Sequence, residues 1–349
     1  MSRAESFVIC WAMFFTGALA AAAPTESPTR EAEPQLLELS GDLRVHDPVI
    51  AEQGGTYYVF GTGGFRGRGI VPILSSPDLH HWTRAGFVFA RLPDWVTKEV
   101  PEARTIWAPD VSYFRGKYHL YYAVSSFGSQ DSAIGLATNQ TLDPSDPGYK
   151  WQDEGVVLRS RAGQDDFNAI DPNLVIADAD DIWLCWGSFW EGIMMRRVDP
   201  ETGKLTATDT KLYRLASRHG PSSDQTQPAS DAIEAPFIVR HGDYWYLFVS
   251  WDHCCRGVNS DYKVIVGRSD AVTGPYVDKD GKPMSKGGGS LVVEAATDHW
   301  HGAGHQGYLR DDGTDYLIFH AYAVPSGRPR MQISTIDWQD GWPRVAPLP

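Results

Sequence analysis

One pattern recurs five times along this 349-residue chain, and it narrows the choice of folds more than any compositional figure. A polar residue, usually followed by proline, leads into an apolar run; a tight turn comes next, then a second run dense in aromatic residues. The first copy is Asp47-Pro48-Val-Ile with Gly-Gly-Thr-Tyr-Tyr-Val-Phe, the second Ala108-Pro109-Asp-Val with Arg-Gly-Lys-Tyr-His-Leu-Tyr-Tyr. The third joins Asp171-Pro172-Asn-Leu to Asp-Asp-Ile-Trp-Leu-Cys-Trp, and the fourth Glu234-Ala-Pro236-Phe-Ile to His-Gly-Asp-Tyr-Trp-Tyr-Leu-Phe. In the fifth, His305-Gln-Gly-Tyr-Leu precedes Asp-Asp-Gly-Thr-Asp-Tyr-Leu-Ile-Phe. Prolines 48, 109, 172 and 236 are spaced by 61, 63 and 64 residues. Short apolar runs punctuated by Gly and Asp turns, without an amphipathic helix of any length, predict an all-β chain. A period of about 60 residues holds four strands and their loops, and five such units close into a five-bladed β-propeller.

In a propeller the first strand of each blade lines the central channel, and all of them start on one face. Those strands open here with Asp47, Ala108, Asp171, Glu234 and His305, so residues more than 250 positions apart converge on the axis. Three carboxylates gathered there repel one another, a cost that a purely structural channel has no reason to keep. Paired carboxylates are the apparatus for cleaving a glycosidic bond, one as a protonated acid and the other as an ionised base or nucleophile. A third beside the acid raises its pKa and keeps its proton available near neutral pH. Aromatic residues at the mouth suit the faces of sugars. Trp107, just before the second-blade strand, and Phe127, Phe189 and Trp190, after later strands, are placed for this; core packing is the alternative use for any one of them.

Charge removes other partners. Lys+Arg 31 against Asp+Glu 44 gives −13, the wrong sign for binding nucleic acid or an anionic membrane. Residues 1–23 read as a secretory signal peptide: Arg3 opens a polar segment, an apolar run follows, and Gly17-Ala-Leu-Ala-Ala-Ala-Ala offers small-residue cleavage sites. Residues 24–40, rich in Pro, Glu and Thr, read as an unstructured leader, and 41–349 as the propeller. A secreted monomer, extracellular or periplasmic, is therefore expected. Cleavage removes Cys10 and leaves Cys185, Cys254 and Cys255, too few for a disulfide framework. The adjacent Cys254 and Cys255 are read as two buried thiols, with a vicinal bridge as the alternative. Asn139-Gln-Thr is a glycosylation sequon, and the Gly-rich stretch from Lys279 to Gly289 reads as a flexible hairpin tip.

Five short motifs in order carry a resemblance. Val-His46-Asp47-Pro, Ile-Trp107-Ala-Pro-Asp, Ala-Ile-Asp171-Pro-Asn, Gly-Ser188-Phe189-Trp190-Glu-Gly-Ile and Ala-Ile-Glu234-Ala-Pro together resemble glycoside hydrolase family 43, the five-bladed arabinanases, arabinofuranosidases and xylosidases. Residues 248–260 and the closing Ile-Asp-Trp-Gln-Asp-Gly-Trp-Pro are similar to the endo-α-1,5-L-arabinanase branch. The resemblance implies Asp47 as general base, Glu234 as general acid and Asp171 as the group that tunes and orients Glu234. It implies hydrolysis of the α-1,5-linked L-arabinan of pectin side chains, with His46, Trp107, Phe127, Ser188 and Phe189 in contact with substrate. It also implies one metal ion on the axis, calcium, ligated by a histidine, matched here by His305, and by waters; the motif around it reads Gly-Ala-Gly-His305-Gln where the family pattern is Gly-Pro-Gly-His-Asn.

Asp47 and Glu234 open strands of blades that are not neighbours, which predicts the wide carboxyl spacing of an inverting enzyme, roughly 6.5–9.5 Å. An exo-acting α-L-arabinofuranosidase or β-xylosidase, a retaining fructan hydrolase and a non-catalytic sugar-binding propeller are the competing readings. The exo-acting relatives often carry an added β-sandwich, and only about thirty residues follow the fifth copy.

Overall fold

The aromatic second strands carry apolar side chains on both faces, so each sheet needs a neighbour on either side. In the computed structural model, which describes Met1 and residues 33–65, 68–218 and 232–349, a ring of five antiparallel sheets meets that demand. The inner strands are Val49–Gln53, Trp107–Phe114, Asn173–Asp178, Ile233–His241 and Trp300–Asp311. Each touches the next in chain order, and the fifth touches the first, which closes the five-bladed propeller expected from the repeat. Among the described residues the helices are single turns: Val96–Glu99, Gly257–Asn259 and Met284–Lys286.

Strand Lys117–Val124 shows how the ring is held. Leu120 and Tyr122 point into a cluster shared with Phe60, Val71 and Ile73 of blade one, whereas Tyr121 points into one shared with Leu184, Trp186 and Met194 of blade three. The other three seams are filled in the same way, by Val175, Trp183 and Leu247, by Phe248, Leu317 and Phe319, and by Ile318, Ile333 and Trp82. Five apolar wedges thus replace one central core and leave the axis open to polar groups.

Blade five is complete on its own strands, and the last seam is sealed by the segment before blade one. Leu36 bridges Ser334, the Leu37 N–H donates to the Ile333 carbonyl, and Met331 donates to Leu43. Ser40–Gly41 then runs parallel to His81 and Trp82 on the outer strand of blade one. Of the leader expected at 24–40, residues 24–32 lie outside the described residues, while from Gln35 on the segment is paired with blade five, and Leu37, Leu39 and Leu43 supply apolar contacts to the seam between blades five and one. The signal peptide expected at 1–23 lies, after Met1, outside the described residues.

Two smaller expectations also change. Asn139 of the sequon is buried, and its Oδ1 accepts from the Lys150 N–H, so a glycan could not be added there without opening the blade. The stretch from Lys279 to Gly289 is wrapped around Asp278, whose carboxylate accepts the N–H groups of Asp280, Lys282 and Gly289.

At the mouth of the channel the chain departs from regular strand. One residue per blade is left-handed: Asp47 (φ 53°), Ala108 (φ 39°), Asp171 (φ 56°), Ala235 (φ 53°) and His305 (φ 49°). In blades two, four and five the ladder is bulged around this point, which frees backbone N–H groups from sheet pairing. Side chains reach them across the seams. Thr62 accepts from Ala108, Asp171 from Ala235, Ser250 from His305 and His320 from Asp47. The same comparison corrects the alignment of the copies: Ala235, not Glu234, is equivalent to Asp47 and Asp171. Pro236 follows Ala235 just as Pro48 follows Asp47, so Glu234 projects from one step earlier.

Candidate active site

A cleft of about 670 Å³ opens over this end of the channel. All nine sequence-predicted site residues line it: Asp47, Asp171, Glu234, His46, Trp107, Phe127, Ser188, Phe189 and His305. Phe127 is 84% exposed on its rim, an arrangement that a core residue would not adopt and that leaves its ring open to a sugar face.

The carboxyls sit in unlike surroundings. Burial opposes ionisation of Asp47, but the charges and hydrogen bonds of His305 and His46 outweigh it and hold its pKa well below the usual carboxylate range. Its Oδ1 lies 2.8 Å from His46 Nδ1 and 3.1 Å from His305 Nδ1, and its Oδ2 accepts from the Thr62 hydroxyl. Asp47 is thus an ionised acceptor at neutral pH. Glu234 meets hydroxyls instead: Ser188 donates to Oε2 at 2.8 Å and Tyr262 to Oε1 at 2.7 Å. Tyr262 keeps its proton because burial and then the charges of Glu234, Asp171 and Asp47 push its pKa far up. Asp171 is raised to about 8, chiefly by burial, with Glu234 and Asp47 adding to the rise against the opposing pull of His305. Burial and like charge therefore keep a proton on the Asp171 carboxyl at neutral pH, while the Asp47 carboxylate has none.

His305 is raised to about 9: burial alone would lower it, but Asp47, Asp171 and Glu234 hold the proton on. Among the described residues the convergent donor groups of three are His46–Asp47–His320 and His46–Cys254–Cys255, and neither contains His305. Gln306 beside it is turned away, bonded to Ser250 and to the Ala235 carbonyl. His305 offers an ion one imidazole nitrogen, and Asp47 Oδ1 stands 3.1 Å from it. The ion expected from the resemblance would take that nitrogen and complete its shell with water, whereas calcium ordinarily takes six to eight oxygen ligands. A cationic imidazole already supplies positive charge among the three carboxylates.

Several participants escaped the sequence reading. His320, fully buried and kept neutral mainly by burial, stacks on His46 at 4.1 Å between ring centroids. Tyr322 accepts the Cys255 N–H at 2.8 Å, and its hydroxyl pairs with His46 Nε2, also at 2.8 Å. The other ring nitrogen of His46, Nδ1, faces the Asp47 carboxylate. Asn168 lines the cleft with a buried Oδ1 that has no partner in the protein, an acceptor left for a ligand hydroxyl. Gly304 has no room for a side chain, since a Cβ there would stand 2.1 Å from the Tyr262 ring. A signal was present for some of these: a hydroxyl or imidazole (Thr62, Ser125, Ser188, Ser250, His320) comes one to three residues after the aromatic run of each copy. Nothing comparable marks Tyr262. Cys254 and Cys255 form a vicinal disulfide in the cleft wall, half-buried and exposed respectively, which corrects the reading of two buried thiols; among the described residues only Cys185 is a buried thiol.

Residues 41–343 match the model of glycosyl hydrolases family 43. An extracellular exo-α-(1→5)-L-arabinofuranosidase of Cellvibrio japonicus is 41% identical over 305 residues, 86% of this chain and 86% of that protein. An extracellular endo-α-(1→5)-L-arabinanase of Bacillus subtilis is 39% identical over 337 residues, 95% of this chain and 98% of that protein. The structure of Cellvibrio cellulosa α-L-arabinanase complexed with arabinohexaose superposes with a TM-score of 0.82 at 39% identity, covering 88% of this chain and 96% of that one. With the propeller, the cleft and these matches in agreement, the chain belongs to glycosyl hydrolases family 43.

Proposed function

We propose that the protein is a secreted, monomeric endo-acting arabinanase that cleaves α-1,5-linked L-arabinan by a single displacement. One observation carries the chemistry: a single cleft holds a carboxylate stripped of its proton, Asp47, and a carboxyl that keeps its own, Asp171, beside Glu234. Asp47, oriented by His46, His305 and Thr62, takes a proton from water as its oxygen bonds to the anomeric carbon. Glu234, held by Ser188 and Tyr262, delivers a proton to the departing O5 as the glycosidic bond breaks. Asp171 accepts the Ala235 N–H, which fixes the backbone next to Glu234, and its burial beside Glu234 keeps its own proton on at neutral pH.

The substrate follows from the relatives: endo-arabinanases from a bacterium and several fungi, and a solved structure with arabinohexaose bound. The names of two relatives, in Cellvibrio japonicus and Bacillus subtilis, support export; among the described residues no helix is long and apolar enough to cross a membrane. An exo-acting reading is favoured by one relative, named an exo-arabinofuranosidase, that is 41% identical. Product profiles on linear arabinan, arabinoxylan and aryl glycosides separate the readings. Endo action gives a ladder of arabino-oligosaccharides and an early loss of viscosity; a single short product with viscosity retained would establish exo action, and activity only on xylosides would overturn the substrate.

A further inference from the structure

The cleft wall holds one feature for which arabinan hydrolysis has no use. The sulfurs of Cys254 and Cys255 and a ring nitrogen of His46 all lie within 4.8 Å of one another, and Cys255 Sγ is 3.7 Å from His46 Nε2. Two sulfurs and an imidazole are the donors of soft, thiophilic divalent cations, whose ligands stand within about 4 Å of each other around one ion. While the sulfurs are joined they are poor ligands, because metal binding needs thiolates. Cys255 is exposed and Cys254 half-buried, so a small reductant reaches them from the cleft.

We propose that the Cys254–Cys255 disulfide masks a soft-metal site and that, once it is reduced, the two thiolates and His46 bind one zinc- or cadmium-class ion and switch the enzyme off. The reduction is a two-electron exchange: a dithiol gives up two electrons and two protons and becomes a disulfide, or a phosphine is oxidised to its oxide with water supplying the protons, while Cys254 and Cys255 become thiols. Binding the ion then releases the two thiol protons. The inhibition follows from the hydrogen bonds already described. His46 Nε2 pairs with the Tyr322 hydroxyl, and His46 Nδ1 faces Asp47 at 2.8 Å. An ion that takes Nε2 displaces the Tyr322 hydroxyl and turns the ring, which removes one of the donors that orient the base.

The test uses the whole protein with a phosphine reductant and cadmium as the probe. Reduced protein should bind one cadmium per chain with a thiolate-to-metal absorption band in the ultraviolet, and arabinan hydrolysis should fall about ten-fold or more, the size of effect that losing such a supporting contact has at other sites. A chelator should restore the rate. Oxidised protein should show neither the band nor the loss. The variant Cys254→Ser/Cys255→Ser should be insensitive to cadmium whatever its own rate; if it fails to fold, wild-type protein alkylated after reduction takes its place. Reduced protein without a thiolate band, equal inhibition before and after reduction, or an equally inhibited double variant would overturn the proposal. The absorption band is read without substrate, so an error in the proposed activity cannot be mistaken for failure of the metal site.

Discussion

The seams between blades and the mouth of the channel solve opposite problems with the same strands. In the seam between blades two and three, Tyr121, Leu184, Trp186 and Met194 are apolar, regular in conformation and excluded from water. A few ångströms along the same sheets, the mouth has left-handed residues, bulged ladders, three buried carboxyls and a histidine that burial alone would discharge. Stability is made in the five wedges, where any side chain of the right volume serves. Chemistry is placed where the wedges cannot reach, and neighbouring blades hold that irregular backbone with side-chain hydrogen bonds. Seam residues should therefore change stability and leave the reaction alone, and mouth residues should do the reverse.

The sharpest contrast comes from the two carboxyls proposed to react. Asp47→Asn and Glu234→Gln should each lower arabinan hydrolysis by about 10²- to 10⁴-fold. Their melting temperatures should stay near or above wild type, since neutralising one of several buried carboxyls relieves repulsion. A large fall in melting temperature with much of the rate retained would move them to the structural side. The matching seam change is Leu184→Ala, expected to cost about 2–5 kcal/mol in denaturant unfolding while kcat at 25 °C is kept.

Asp171 breaks the division in an informative way, because it belongs to the mouth yet should report in stability. Its pKa rises from 3.8 to about 8 on folding, so between those values the folded chain binds a proton that the unfolded chain does not. Stability should fall as pH rises through that window, by up to about 1.4 kcal/mol per unit, and Asp171→Asn should flatten the slope. Loss of the same proton sets the expectation that kcat/KM declines above about pH 8. Asp47 acts in the other direction: with its pKa depressed, its contribution is present above the usual carboxylate range and is lost as pH falls through its folded value.

A finer comparison uses two buried tyrosines. Tyr262→Phe removes the hydroxyl that donates to Glu234 and should reduce kcat/KM by about 2- to 10-fold, the equivalent of one hydrogen bond. Tyr246→Phe removes a hydroxyl bonded to the Gly341 carbonyl in the seam of blades four and five and should lower stability by about 1 kcal/mol with kcat/KM unchanged. The smallest expected effect is none: exhaustive dialysis against a chelator should change neither rate nor melting temperature, because the cationic His305 paired with Asp47 already supplies the positive charge an ion would bring. A drop in both on chelation, restored by calcium, would show that water and one imidazole suffice.

The ring and the site were legible in the sequence to the extent that they follow from periodicity. The prolines at 48, 109, 172 and 236 mark where strands enter the channel, and that position alone gathers Asp47, Asp171 and His305. Glu234 was found by its type but misplaced by one step, because a bulge shifts register without changing the residues that flank it. Tyr262 and Tyr322 lie outside the repeated motif, and only folding brings their hydroxyls to Glu234 and His46. The pairing of Leu36 with Ser334 spans almost the whole chain and has no local signature, and the composition of 24–40 argued against structure there. The Cys254–Cys255 bridge was written in the sequence as two adjacent letters, but exposure to the cleft, which decides between bridge and buried thiols, is a property of the fold.

Whether Asp47 activates water or attacks the sugar itself is decided by the anomeric configuration of the first product. Proton NMR of linear arabinan in the first minutes of digestion, before mutarotation mixes the anomers, resolves it. With Asp47 as base and Glu234 as acid, the new reducing end should appear first as the β-anomer, inverted from the α-linked substrate. An α-anomer appearing first, or a glycosyl group trapped on Asp47, would contradict the single displacement and the roles assigned to both carboxyls.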